Sequence, residues 1–270
     1  MKSAITIALV PEIKSGPWVF WENLEGSVSR AAALGFDAIE LFTASATAVD
    51  SALLQQLSEF YRIRICAVGT GAGKVVQGLT LTDADAGVRA RAVKFISEMI
   101  DFGATCSAPA IIGSMQGNIP QGTERTIALQ WLSEGISILA DRAEKKGVPL
   151  IYEPLNRYET NIFNCFSDAV GWLETLDTKN VQLLADLFHM NIEEVSIPET
   201  IYQYGKYIGH VHFADSNRRA MGMGHTPMDD IAKALQAIPY SGYLSAEVFP
   251  WPNSDASAIQ TINAFNTWFK

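Results

Sequence analysis

Val181-Gln182-Leu183-Leu184-Ala185-Asp186-Leu187-Phe188-His189-Met190-Asn191 is an apolar run that breaks off in an aspartate and a histidine. Near-continuous apolarity without alternation belongs to a strand covered on both faces, as in a parallel sheet wrapped by helices. The ionisable residues at its C-terminal end then mark one rim of that sheet. Similar apolar runs lie outward in both directions, at 5–10, 38–42, 63–68, 110–112, 148–152, 208–213 and 243–248. Helix-like stretches fall between them, near 22–34, 50–60, 84–103, 124–146, 167–177, 198–205 and 229–237, with a last one near 256–269. Asp50 and either Asp83 or Asp85 stand where helices should begin, and Gly35, Gly103 and Gly147 where they should stop. Alternating strands and helices fit either a closed barrel or a doubly wound open sheet. The first strand–helix junction lacks G-x-G-x-x-G, which removes the usual support for the open sheet. The expectation is an α/β fold, a single (β/α)8 TIM barrel over residues 1–270, a natural length for that architecture.

Bulk properties narrow the function. Hydrophobic residues make up 48% and charged residues 18%, a globular composition. The formal net charge is −9 and no Lys/Arg-rich run occurs, so no nucleic-acid partner is expected. The apolar residues 4–10 are followed by Pro11, Glu12 and Lys14 without a small-residue cleavage site, and read as a strand rather than a secretory signal. No stretch approaches the roughly 18 apolar residues of a membrane helix, so no membrane partner is expected. Three well-separated cysteines, Cys66, Cys106 and Cys165, suit a reducing cytoplasm and thiols that pack rather than pair. Trp18, Phe20, Trp21 and Trp251 are expected to pack in the core or a pocket wall, with a homo-oligomer contact as the alternative.

In a barrel of this kind chemistry sits at the C-terminal strand ends. Four consecutive strands deliver Glu153, Asp186, His212 and Glu247 to that rim. Converging carboxylates repel one another unless a counter-charge is present. A divalent cation supplies one, and three carboxylates with one imidazole suit Mn²⁺ first, with Mg²⁺ or Co²⁺ as alternatives. Isolated ion pairs with rim lysines or arginines are the bland reading, and four successive strands would have to form them independently. All four histidines lie between positions 189 and 225. His210 shares a face with His212 and is expected to be a satisfied core histidine, with a second ligand as the alternative. His189, just past Asp186, is placed at the start of a loop in reach of a bound ligand. His225 is on a glycine-rich loop. Arg157 and Arg218 flank the rim, and Arg218 is preferred as a substrate contact.

Glu153-Pro-Leu-Asn-Arg-Tyr-Glu159, Asp186-x-Phe-His-Met-Asn191 and His212-x-Ala-Asp-Ser-Asn-Arg218 resemble the xylose-isomerase-like barrel superfamily. Within it they are similar to the ketose 3-epimerases of the D-tagatose and D-psicose type, and most of all to the 5-keto-L-gluconate epimerases. Residues 65–71 and 191–199 extend the likeness. The resemblance implies that Glu153, Asp186, His212 and Glu247 bind a metal, that Glu153 and Glu247 double as the acid/base pair, and that Glu159, His189 and Arg218 contact the substrate. Leu187 replaces a usual threonine, Met221 and Met223 occupy a loop where proline is common, and Trp251 follows the last glutamate unexpectedly. These departures are expected near the pocket, where they bear on substrate identity.

The implied reaction is deprotonation beside a ketone and reprotonation on the other face of the enediolate, with one glutamate per face. The expected substrate is a small sugar or sugar acid such as 5-keto-L-gluconate or D-tagaturonate, with Arg218 pairing its carboxylate. Alternatives are a neutral-ketose 3-epimerase, a hydroxypyruvate-type isomerase and a silent sugar-binding barrel. An abasic-site endonuclease would need a basic face and more zinc ligands than four histidines allow.

Overall fold

The computed structural model describes residues 1–21 and 23–270. Its sheet contains β1 (Lys2–Leu9), β2 (Phe20–Trp21), β3 (Ala38–Thr43), β4 (Arg64–Gly69), β5 (Ala110–Ile112), β6 (Leu150–Tyr152), β7 (Val181–Asp186), β8 (Ile208–His212) and β9 (Tyr243–Ala246). Neighbours follow the chain from β3 to β9, every pairing is parallel, and β9 pairs with β1, so eight strands close into a barrel. All eight expected strands are present. The extra element is β2. One edge of β1 pairs with β3 over Ala4 to Leu9, so β9 and β2 share the other edge, β9 beside Lys2 to Ile5 and β2 beside Ile7 and Ala8. Thr6 joins the two: its hydroxyl donates to the Ala246 carbonyl at 2.8 Å and accepts from the Val19 N–H at 3.1 Å.

The outer layer comprises α1 (Leu24–Ala33), α2 (Ser51–Tyr61), α3 (Ala72–Gln77), α4 (Ala86–Ala104), α5 (Arg125–Lys145), α6 (Phe166–Leu173), α7 (Leu187–Glu193), α8 (Ile197–Tyr204), α9 (Met228–Ala237) and α10 (Ser254–Phe269). Glu22, the first residue of the expected first helix, lies outside the described residues. Asp50 and Asp85 cap α2 and α4 by accepting from the N–H groups of Ala52 and Gly87. Gly35 and Gly147 adopt left-handed φ values of 87° and 74° after α1 and α5, as expected. Gly103 does not end its helix. It lies inside α4, where a Cβ would meet the Ala108 carbonyl oxygen at 2.5 Å and Val68 Cγ2 at 2.9 Å, so it permits close helix–strand approach. The short helices α3 and α7 were not expected. His189 therefore sits in a helix, not at the start of a loop.

Inside the barrel the side chains stack in layers. Ala4, Ala38 and Cys66 form one layer, and Ala67, Ile111, Ile151 and Leu184 the next. Filling the lumen with aliphatic side chains, each contributing roughly 1.5–3 kcal/mol when fully buried, leaves room for chemistry only near the strand C-termini. Among the described residues no helix is long and apolar enough to cross a membrane.

Candidate active site

Above those layers, polar groups converge on the Nδ1 atom of His212, the last residue of β8. Asp186 Oδ2 lies 3.3 Å from it, Glu153 Oε1 3.5 Å and Glu247 Oε2 3.7 Å. His189 Nε2 completes the cluster, 3.6 Å from Asp186 Oδ2 and 3.7 Å from Glu153 Oε1. Glu153, Asp186 and His212 are buried, and Glu247 is half-buried. Among the described residues, Glu153 Oε1 and His189 Nε2 have no hydrogen-bond partner. Buried polar atoms are rarely left so. Glu153, Asp186 and His212 each offer a ligand atom within 4.8 Å of one another, a donor set that fits a hard divalent cation, and Glu247 lies beside them, paired with Arg218. Burial holds the Glu247 carboxyl above the usual range, aided by Glu153 and Asp186 against the pull of Arg218 and His212. Burial also acts to raise Asp186, but His189, His212 and Arg218 together hold it well below that range.

Local structure aims each group. Glu153 follows β6, and its N–H continues the ladder to the Ile112 carbonyl at 3.0 Å. Buried Gln116 donates to the carbonyls of both Gly113 and Glu153, and accepts from the Tyr152 hydroxyl, which ties the ends of β5 and β6 together. Asp186 has two tasks. Its Oδ1 caps α7 by accepting from the N–H groups of Phe188 at 2.7 Å and His189 at 3.3 Å, while Oδ2 faces the cluster. The first turn of α7 then carries His189, whose Nδ1 meets the Asn156 amide nitrogen at 2.7 Å. That same amide nitrogen donates to Glu159 Oε1 at 3.0 Å.

Arg218 reaches over the cluster from the loop after β8. Its guanidinium bonds Glu247 Oε2, lies 3.3 Å from Glu159 Oε1 and 3.9 Å from Asp186 Oδ2, and sits 4.9 Å above the Phe188 ring. Three carboxylates and an aromatic face thus hold one cation. Its backbone is left-handed, with φ 56°, a conformation its surroundings must impose. Asp215 imposes it. Its Oδ1 accepts from the N–H groups of Ser216 at 2.7 Å and Thr226 at 3.0 Å, and its Oδ2 from those of Gly222 at 2.8 Å and Gly224 at 2.7 Å. Burial opposes ionisation of Asp215, yet the N–H groups of Thr226, Ser216 and Gly224 prevail and hold its pKa below the usual value. Asp215→Asn, which turns an amide toward those donors, is expected to cost about 2 kcal/mol. Because the folded pKa is depressed, this stabilisation is present above the unfolded pKa near 3.9 and fades as pH falls through the folded value. Thermal melts of the two chains should therefore differ at pH 7, and the gap should narrow as pH falls below about 3.9. A constant gap would contradict this role.

A cavity of about 210 Å³ opens over the cluster. Trp18 and Phe42, stacked with ring centroids 4.2 Å apart, form one wall, and Val75, Ile111, Ser114 and Leu155 contribute elsewhere. Leu187, Met221, Met223 and Trp251, the departures expected near the pocket, are not among its lining residues. Trp251 is exposed beneath the Arg219 guanidinium instead of packing in a wall. Arg157 is drawn away by Glu193, which it meets with its backbone N–H, Nε and Nη2. His225 is exposed. His210 is a buried, satisfied histidine, as expected, and its partner is Glu40 at 2.8 Å. Glu40 also meets His212 Nε2 at 3.1 Å and lines the cavity. Sequence reasoning passed over it, although a carboxylate within an apolar strand was itself a signal.

A family model described as a xylose isomerase-like TIM barrel matches residues 28–265. The chain belongs to that family. Among curated relatives of this xylose isomerase-like barrel, D-psicose 3-epimerase of Agrobacterium fabrum is 31% identical over 82% of the chain and 78% of the relative. L-ribulose 3-epimerase of a Methylomonas species is 28% identical over 94% of the chain and 88% of the relative. A solved D-psicose 3-epimerase from Clostridium cellulolyticum with D-tagatose superposes with TM-score 0.83 at 23% identity, covering 100% of both chains, which bears on the fold. With its curated relatives named as epimerases, this xylose isomerase-like barrel is an isomerase-class enzyme, a sugar epimerase.

Proposed function

We propose that the protein inverts the carbon next to the ketone of a keto-sugar, acting as a metal-dependent 3-epimerase on a keto-sugar acid such as 5-keto-L-gluconate or D-tagaturonate. The observation that carries this reading is the convergence of Glu153, Asp186 and Glu247 on His212, with Glu153 Oε1 lacking a hydrogen-bond partner among the described residues. These four residues would hold the cation, for which Mn²⁺ is the preferred identity. When bound, it offsets the negative charge that develops on the ketone oxygen and neighbouring hydroxyl. Glu153 and Glu247 come from strands with two others between them, so they reach the substrate carbon from different sides. One takes the proton, the other returns one to the opposite face. His189 Nε2, without a hydrogen-bond partner among the described residues, is available to a substrate oxygen. Glu159 and Arg218 line the cavity and bind hydroxyl or carboxylate groups there.

A sugar acid needs a cation for its carboxylate, and Arg218 is already engaged by three carboxylates. Lys74 offers a second charge. Gly71 and Val75 line the cavity, and Lys74 lies on the same side of α3 at helical spacing. Its ammonium is half-buried, which lowers its pKa against the opposing pull of Glu159. The test is deuterium uptake by NMR with metal-loaded protein and a panel of keto-sugar acids and neutral ketoses. Deuterium at C3 together with a new epimer is expected, along with loss of activity on chelation. No exchange in any substrate would defeat the epimerase reading. Lys74→Met should raise KM for the acid about tenfold and leave neutral ketoses unchanged, as loss of one charge-assisted contact predicts. Equal KM values before and after would favour the neutral ketoses carried by the relatives' names.

A further inference from the structure

We infer that Glu40 is a positioning residue that sets the tautomer and ring orientation of His212, and thereby prepares the cation site. This rests on the metal site proposed above. Glu40 lies on β3 and His212 on β8, with β9 and β1 between them in the barrel wall. The intervening strands carry short side chains at the matching positions: Ser245 pairs with His212, and Thr6 pairs with Glu40. The carboxylate therefore reaches His210 and His212 past two short side chains. It is 5% exposed, and its two histidine partners no more than 2%.

Each oxygen of Glu40 takes one imidazole. Oε2 lies 2.8 Å from His210 Nε2, and Oε1 lies 3.1 Å from His212 Nε2. An ionised carboxylate only accepts hydrogen bonds, so both Nε2 atoms must carry hydrogen. The Nδ1 atom of His212 is then the nitrogen whose lone pair can face Asp186, Glu153 and Glu247. An imidazole that binds a metal through one nitrogen commonly has the other fixed by a carboxylate in this way. His210 serves as the second anchor. By occupying Oε2 it keeps the Glu40 carboxylate from turning its other oxygen away from His212. The pair of histidines and the bridging glutamate form a brace that meets the cluster through the ring of His212.

Glu40→Gln tests this, because glutamine offers one acceptor and one amide donor to two Nε2–H groups. The full chain is titrated with Mn²⁺ alone, following the free-ion EPR signal, and its kinetics are measured at saturating Mn²⁺. Affinity for Mn²⁺ is expected to fall 10- to 100-fold, the usual effect of removing such a partner. The kcat at saturating Mn²⁺ should fall less than the affinity does, since both Glu40 oxygens are turned to the histidines rather than to the cluster. A loss of kcat with unchanged Mn²⁺ affinity would overturn the role. His210→Gln still offers an amide N–H to Glu40 Oε2, so it can keep the anchor and the Glu40–His212 bond and should bind Mn²⁺ within a few-fold of the native chain, whereas an equal loss would reduce Glu40 to general packing. A native chain that binds no Mn²⁺ would defeat the metal site itself, while a native chain and Glu40→Gln that bind equally would defeat this inference alone. Should Glu40→Gln fail to fold, long-range ¹H–¹⁵N spectra of the native chain decide. Hydrogen on Nε2 of His212 supports the brace, and hydrogen on Nδ1 with a bare Nε2 overturns it.

Discussion

Glu247→Gln is expected to lower the epimerisation rate by about 10³-fold, within the range spanned by general acid–base catalysis. Glutamine keeps a carbonyl oxygen for the cation and for the Arg218 guanidinium, so binding should suffer less than turnover. The more telling result concerns isotope exchange. With Glu153 intact, the epimer whose proton faces Glu153 should still take up deuterium in D₂O without inverting. The opposite epimer should be inert. Glu153→Gln should show the mirror image, with exchange confined to the other epimer. If Glu247→Gln exchanges both epimers, a single base serves both faces and the two-glutamate scheme is wrong. If it exchanges neither, Glu247 contributes mainly to holding the cation, and its role as a base falls.

Gly113→Ala should be nearly as damaging although it alters no ionisable group. A Cβ at this position would sit 2.3 Å from Glu153 Oε2, closer than any real contact. The carboxylate must move, and the backbone on either side cannot easily follow. Gln116 holds the Gly113 and Glu153 carbonyls together through one amide group. A displacement near 1 Å in a catalytic group can cost about 10²-fold. We expect kcat/KM to drop by about that factor with weakened Mn²⁺ binding and a melting temperature close to that of the native chain. Gly69→Ala makes a useful contrast: its Cβ would approach the Phe42 ring at 3.1 Å, which side-chain adjustment can relieve. Full activity in Gly113→Ala would mean that the position of Glu153 is not critical.

The barrel was legible because its strands are apolar on both faces and its helices carry start and stop residues. Four strand-end residues were legible for a related reason: an ionisable group at the end of an apolar run must find a partner. The same reasoning applied to Glu40, but its two partners lie far along the chain in sequence and across the lumen in space. Nothing local in the run Ala38-Ile39-Glu40-Leu41-Phe42 indicates that meeting. Strand β2 is two residues long and carries no periodicity to read. Helix α7 was hidden because Asp186 had already been given one role, and a residue that caps a helix with one oxygen while serving a site with the other shows only its residue type. Gly103 misled for the opposite reason, since glycine ends helices but also lets them pack closely.

The two roles of Asp186 have a consequence for how this part of the barrel breathes. One oxygen holds the first turn of α7 and the other faces the cluster, so the side chain cannot leave one without disturbing the other. Fraying of that turn and release of an ion held by the cluster would then be a single event. Anything that occupies the cluster lends its binding free energy to the helix by mass action. Lengthening the side chain to glutamate would spoil both arrangements together. At this position even a change that preserves charge has no neutral route, which makes Asp186 a point where folding and chemistry are inherited as one trait.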